Sequence, residues 1–217
     1  MENPSTLPQL TFEEQRVLGV LIEKSRATPE YYPMTLNAIL TACNQKTSRN
    51  PVVQYDDETI MEAIDSLKKR GLLSTATGGG SRSIKYKHNL AIKFPLVPAA
   101  LTVICILLLR GAQTPGEINN NSGRLYEFES LEEVQEVLNE LAAADVPYVQ
   151  QLSKRPGQKE QRYIHLFGTL PEANEAASEK SSSKVDVSDL EARISHLEEE
   201  TRYLRENLDK LLKELLG

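Results

Sequence analysis

Apolar residues recur at helical spacing from the start of the chain. Phe12, Val17, Leu18, Leu21 and Ile22 cluster on one face of a predicted helix, while Glu13, Glu14, Arg16, Glu23 and Lys24 lie mostly off it. Thr11 precedes Glu14 by three residues, the spacing of a capping box that starts this helix. A Thr28-Pro29 turn follows, then a short helix over residues 36–43. A third helix is predicted over 56–70, with Ile60, Met61, Ile64 and Leu67 inward and Gly71 as its stop. Residues 72–88 read as two strands around Gly78-Gly79-Gly80, a β-hairpin.

The pattern then repeats. Val17-Leu18-Gly19-Val20-Leu21-Ile22 resembles Val103-Ile104-Cys105-Ile106-Leu107-Leu108, and Thr28-Pro29 matches Thr114-Pro115 at the same offset. Ile64-Asp65-Ser66-Leu67 resembles Leu138-Asn139-Glu140-Leu141, and Lys85-Tyr86-Lys87-His88 resembles Arg162-Tyr163-Ile164-His165. The matches keep their order, as a diverged duplication requires. The second copy predicts helices at 98–109, 115–121 and 130–143, then a hairpin turning near Pro156-Gly157. Three helices followed by a hairpin is the winged-helix order. The apolar run 94–109 is too short and too rich in proline for a membrane span, and reads as a buried helix covered on more than one side.

A different period governs the tail. Residues 170–186 carry no apolar repeat and read as a flexible linker. Beyond them Val187, Ile194, Thr201, Leu208 and Leu215 fill position a of a heptad, and Leu190, Leu197, Leu204 and Leu211 fill position d. Leu throughout d, with β-branched residues at the first three a sites, favours a parallel two-stranded coiled coil. Arg193 would meet Glu198 of a second copy and Glu200 would meet Arg205. Each such pair contributes only about 0.3–0.5 kcal/mol, so they select a partner more than they stabilise it.

The chain has 217 residues and a formal charge of −6. Residues 11–93 are net +3, residues 94–169 net −3 and residues 170–217 net −5. Non-specific polyanion binding by the whole chain is thereby disfavoured, and any nucleic-acid contact falls to the first third. The two cysteines, Cys43 and Cys105, read as reduced core residues of a cytoplasmic protein, and no signal peptide is expected.

Candidate chemistry is sparse. His88, His165 and His196 are scattered, with no cysteine near them, so no metal site is expected. The glycine run lacks the Lys-Ser/Thr of a phosphate loop. The carboxylates of the third helices read as solvated faces, and neither an enzyme nor a cofactor is expected. Lys46 and Arg49 in the loop 44–50, with Arg82, Lys85 and Lys87 on the first hairpin, are the candidate contacts to the phosphates of double-stranded DNA. Against base reading, the first copy's third helix opens Asp56-Asp57-Glu58 and its counterpart carries Glu129, Glu132, Glu133 and Glu136. The alternative is a scaffold whose winged-helix domains bind a protein.

Several blocks carry a family resemblance: Arg16-Val17-Leu18-Gly19, Leu21-Ile22-Glu23-Lys24, Tyr32-Pro33, Ala42-Cys43-Asn44-Gln45-Lys46-Thr47-Ser48-Arg49, Ser81-Arg82 with Lys85-Tyr86, and Leu107-Leu108-Leu109-Arg110-Gly111. They are similar to the YceH-like family of uncharacterised bacterial proteins over residues 10–168. The resemblance implies tandem winged-helix domains in a bacterial cytosolic protein and carries no catalytic residues to transfer. The expected organisation is a disordered start (1–10), winged-helix domains at 11–93 and 94–169, a linker (170–186) and a coiled coil (187–217). The expected fold class is mainly α with small β-hairpins, in a homodimer that is not a membrane protein.

Overall fold

Thr11 opens the first helix as its spacing predicts. In the computed structural model, which describes residues 6–76, 83–154 and 160–168, the Thr11 hydroxyl accepts the Glu14 N–H at 3.3 Å and Glu14 accepts the Thr11 N–H at 2.7 Å. Helix α1 spans Phe12–Ala27, and after a 3-10 turn at Pro29–Tyr31 the chain enters the short strand β1 (Met34–Thr35). Helices α2 (Leu36–Cys43) and α3 (Asp57–Lys69) follow, then strands β2 (Leu73–Ala76) and β3 (Lys85–His88). These strands form an antiparallel sheet in the order β1-β3-β2. A single turn of helix, α4 (Leu90–Lys93), leads into the second half: α5 (Pro98–Arg110), α6 (Pro115–Ser122), α7 (Leu131–Ala143) and the antiparallel pair β4 (Val149–Gln151) and β5 (Tyr163–His165). The protein is thus mainly helical with small antiparallel sheets.

The duplication is visible residue by residue. Helices α3 and α7 each have 13 residues, and their buried sets, Ile60, Ala63, Ile64, Leu67 and Val134, Val137, Leu138, Leu141, match position for position. Tyr86 of β3 pairs with Met34, and Tyr163 of β5 bridges to Gln113, in both cases one residue before the cap of the next helix. That cap corrects one part of the sequence match. Thr114, which forms a capping box with Glu117 at the start of α6, corresponds to Thr35, the cap of α2, and not to Thr28, which ends α1. The first half carries an extra 3-10 turn there, so the shared Thr-Pro pair is not equivalent.

Helix α1 departs most from its expected pattern. Glu14, Gln15 and Arg16 are buried along with Val17 through Ile22, while Phe12, expected inward, is 63% exposed. Met61 on α3, also expected inward, is exposed. The cause is that α1 is packed by α2 and α3 on one side and by α5 on another, so its burial extends well beyond one stripe. The polar side chains survive burial because each is hydrogen-bonded. Gln15 donates to the Leu10 carbonyl at 2.9 Å, and Arg16 donates to the carbonyls of Cys43 (3.3 Å) and Pro51 (2.6 Å). Glu14, besides its cap, faces Arg70 at 3.4 Å.

Helix α5 is buried from Ala99 to Leu109, as its composition predicts. One continuous core runs through both halves, with Phe94 at the join, edge-on to Tyr148 (5.9 Å) and Phe167 (5.6 Å). Gly71 ends α3 with φ +69°, and the Leu72 N–H reaches back to the Leu67 carbonyl at 2.9 Å, a Schellman closure. No helix among the described residues is long and apolar enough to cross a membrane. The heptad residues Val187 to Leu215, the linker, Arg82, and the two hairpin turns lie outside the described residues.

Candidate functional site

The loop between α2 and α3 is built inward. Asn44 clamps it, donating to the Tyr55 carbonyl and accepting the Tyr55 N–H, both at 2.8 Å. The Asn50 N–H caps the end of α5 by donating to the Leu109 carbonyl at 2.9 Å. Arg49 does not face solvent. Its guanidinium is fully covered and donates to both oxygens of Glu23 (3.0 and 2.6 Å), to Gln45 (3.0 Å) and to the carbonyls of Ala42 (3.2 Å) and Ser48 (3.0 Å). A guanidinium engaged on every edge has no donor to offer a phosphate, so Arg49 leaves the expected basic surface. Burial alone would raise the Glu23 carboxyl, but the hydrogen bonds and charge of Arg49 outweigh it and hold Glu23 below the ordinary carboxylate range.

The three candidate lysines stay outward. Lys46 and Lys87 are exposed and Lys85 is half-buried. Lys85 and Lys87 flank the buried Tyr86 on β3, so alternation puts both on the outer face of the sheet, where Lys85 lies across from Thr35 and Ala76. None of the three strands carries a carboxylate. Asp57, Glu58, Glu62 and Asp65 all lie exposed on α3, as do Glu132, Glu136 and Glu140 on α7.

Two histidines sit at equivalent hairpin positions. His88 Nε2 lies 3.2 Å from the Ser25 hydroxyl, which itself donates to the Ile22 carbonyl at 2.7 Å. The imidazole is then the donor in that contact, the reverse of a base activating a serine. Burial, with a smaller effect of Arg26, pulls His88 down to about 4, and burial does the same to His165. Burial pushes the Cys43 thiol up to about 12 and the Cys105 thiol higher still, so both are poor nucleophiles. Among the described residues no group of three or more His, Cys, Asp or Glu could hold a metal ion.

The second half contains a feature that the sequence pattern did not suggest. An open cavity of about 440 Å³ lies between the start of α6, the start of α7 and the β4–β5 pair. At its centre the buried Tyr163 hydroxyl accepts N–H donors from Gln135 (2.7 Å) and Gln151 (3.1 Å), and Gln151 also donates to Gln161 at 2.7 Å. These glutamines are far apart in the chain and share no spacing. Only alignment of the two copies singles them out, because the corresponding positions of the first half hold Met61, Thr75 and Ile84.

The same blocks that fold the first half also place the chain among known proteins. A family model described as "Protein of unknown function, DUF480" matches residues 10–158. The chain belongs to the DUF480 family. Its relatives include a UPF0502 protein of Shewanella sp. strain ANA-3, 43% identical over 216 residues, covering 95% of this chain and 99% of the relative. A UPF0502 protein of Shewanella piezotolerans is 44% identical over 208 residues (91% and 94%), and one of Citrobacter koseri is 42% identical over 212 residues (95% and 98%). The likeness therefore continues past residue 168 into the tail. Within this DUF480 chain, the Asn44–Asn50 stretch that looked like a basic loop ties α2 to α1 through Arg49 and reaches the end of α5 through Asn50.

Proposed function

We propose that this DUF480 protein is a non-catalytic binding module of two tandem winged-helix halves that associates with duplex DNA through backbone contacts, acting as a cytoplasmic homodimer. The observation that carries the reading is the outer face of the β1-β3-β2 sheet. There Lys85 and Lys87 stand on the same face of strands without a carboxylate. Phosphates need such donors, whereas the acidic faces of α3 and α7 oppose insertion of a helix into a groove. The mode is attachment to the sugar-phosphate backbone with little base reading.

Fluorescence anisotropy with random duplex DNA at two salt concentrations tests it. Changing Arg82, Lys85 and Lys87 to Ala should weaken binding to all sequences alike and flatten the salt slope by up to about three. Arg49→Lys should leave the slope unchanged. Absence of binding at low salt would remove the DNA reading. A protein scaffold is the second reading, favoured by the exposed carboxylates Asp57, Glu58, Glu62 and Asp65 on α3 and their counterparts on α7.

A further inference from the structure

The cavity beside Tyr163 has properties that the fold does not require. Its volume of about 440 Å³ lies within the range of roughly 300–1,000 Å³ typical of small-molecule sites. The frame of helices and paired strands is the same in both halves, and both keep the central tyrosine, Tyr86 or Tyr163. Yet the positions that hold Gln135, Gln151 and Gln161 in the second half hold Met61, Thr75 and Ile84 in the first. Since the first half folds without the amides, their convergence in the second has a use other than folding.

The chemistry of the lining says what would fit. The amide N–H groups of Gln135 are spent on Asn139 (3.0 Å) and Tyr163, and those of Gln151 on Gln161 and Tyr163. What these two glutamines still offer is carbonyl oxygen, an acceptor. Glu132 and Glu160 add two carboxylates to the lining against one cation, Lys154. Hydrogen bonds at the start of α7, first from its own backbone and then from Ser130, draw the Glu132 carboxyl below its ordinary range. The wall is apolar, made by Pro115 and the 44% exposed Leu131. We infer that this cavity binds a small organic cation rich in N–H donors, a guanidinium or primary ammonium group on a short apolar stem. The cationic head lies among the carboxylates and glutamine oxygens, and the stem rests on Leu131 and Pro115. Such a head comes either from a free amine or from an arginine or lysine side chain of a partner protein.

The test is titration of the full-length protein, followed by the side-chain amide resonances of Gln135, Gln151 and Gln161, with agmatine in one arm and an acetyl-Ala-Arg-Ala-amide peptide in the other. Saturable shifts of these resonances are expected in at least one arm. Agmatine alone identifies a free amine, and binding of the peptide as tight as agmatine or tighter identifies a side chain of a partner. Glu132 and Glu160 are both exposed, so Glu132→Gln with Glu160→Gln keeps the fold, and it should weaken binding by about tenfold or more. Lys154→Ala, which removes the one cation of the lining among the described residues, should tighten binding. The inference is overturned if neither probe shifts the three amides up to about 10 mM, if the double variant binds as well as wild type, or if acetate binds in preference to both cations.

Discussion

Cys105 Sγ lies 3.4 Å from the carbonyl oxygen of Gly19, and these two residues hold the same place in the two copies of the repeat. Equivalent positions meeting face to face is the geometry of an isologous contact, here formed within one chain. Small residues at both points let α1 and α5 approach closely. A Cβ on Gly19 would stand 2.8 Å from Leu109 Cδ2 and 3.2 Å from Leu108 Cβ.

Gly19→Ala should therefore destabilise the protein despite the better helix propensity of alanine. Propensity returns about 1 kcal/mol, while overpacking costs about 1–3 kcal/mol. Gly19→Val gains almost nothing from propensity and adds two more methyl groups, so its loss should be larger. Urea unfolding of the two variants checks the order, and a stabilised Gly19→Ala would show that the helices are not in tight contact.

Arg49 provides the second prediction. Removing one partner of a buried charge pair costs about 3–5 kcal/mol, and Arg49→Ala also strands the carbonyls of Ala42 and Ser48. Because Glu23 keeps some exposure, with 16% of its side chain open, the lower part of that range is expected. Lys85→Ala and Lys87→Ala should leave the unfolding midpoint nearly unchanged. Equal behaviour of Arg49 and the lysines would mean that Arg49 is a surface residue after all.

The paired histidines predict a pH dependence. His88 and His165 each have a buried Nδ1 without a hydrogen-bond partner among the described residues, and burial lowers each from 6.5 to about 4. Near pH 7 both forms of the chain hold mostly neutral imidazoles, and the effect is small. As pH falls through 6.5 the unfolded chain takes up protons that the folded chain refuses, so stability drops until about pH 4. The slope is at most about 1.4 kcal/mol per pH unit for each histidine. Denaturation midpoints between pH 7 and 5 should fall for wild type and stay flatter for a His88→Gln, His165→Gln variant, whatever its absolute stability.

The heptads carry a prediction about mass. Deleting residues 184–217, or placing Lys at both Leu197 and Leu204, should lower the mass found by light scattering, because desolvated charge in the seam is costly. If both variants keep the number of chains found for the full-length protein, the heptads do not form the interface.

Much of the architecture was legible in the periodicity. Helix α3 was expected at 56–70 and lies at Asp57–Lys69, and α7 at 130–143 lies at Leu131–Ala143. These helices have one buried stripe, so pattern and structure coincide there except at Met61, which lies at the edge of the stripe and is exposed. What escaped was anything decided by two-sided packing. Glu14 and Arg16 were placed off the apolar face because a single-stripe reading cannot see that α5 also packs against α1. Arg49 sits in a loop of lysine, serine and asparagine, and only folding reveals that the loop turns back on Glu23. The glutamines around Tyr163 were hidden by distance along the chain.

The burial of α1 on two flanks also fixes what any partner must accept. Since one uninterrupted core contains Leu18, Phe94 and Leu138, the face bearing Lys85 and Lys87 and the cavity bearing Tyr163 cannot swing independently like beads on a string. They are held at one separation and one relative angle, as on a ruler. A ligand or macromolecule that touches both must match that spacing from the outset, and one that touches either meets a surface already ordered before contact.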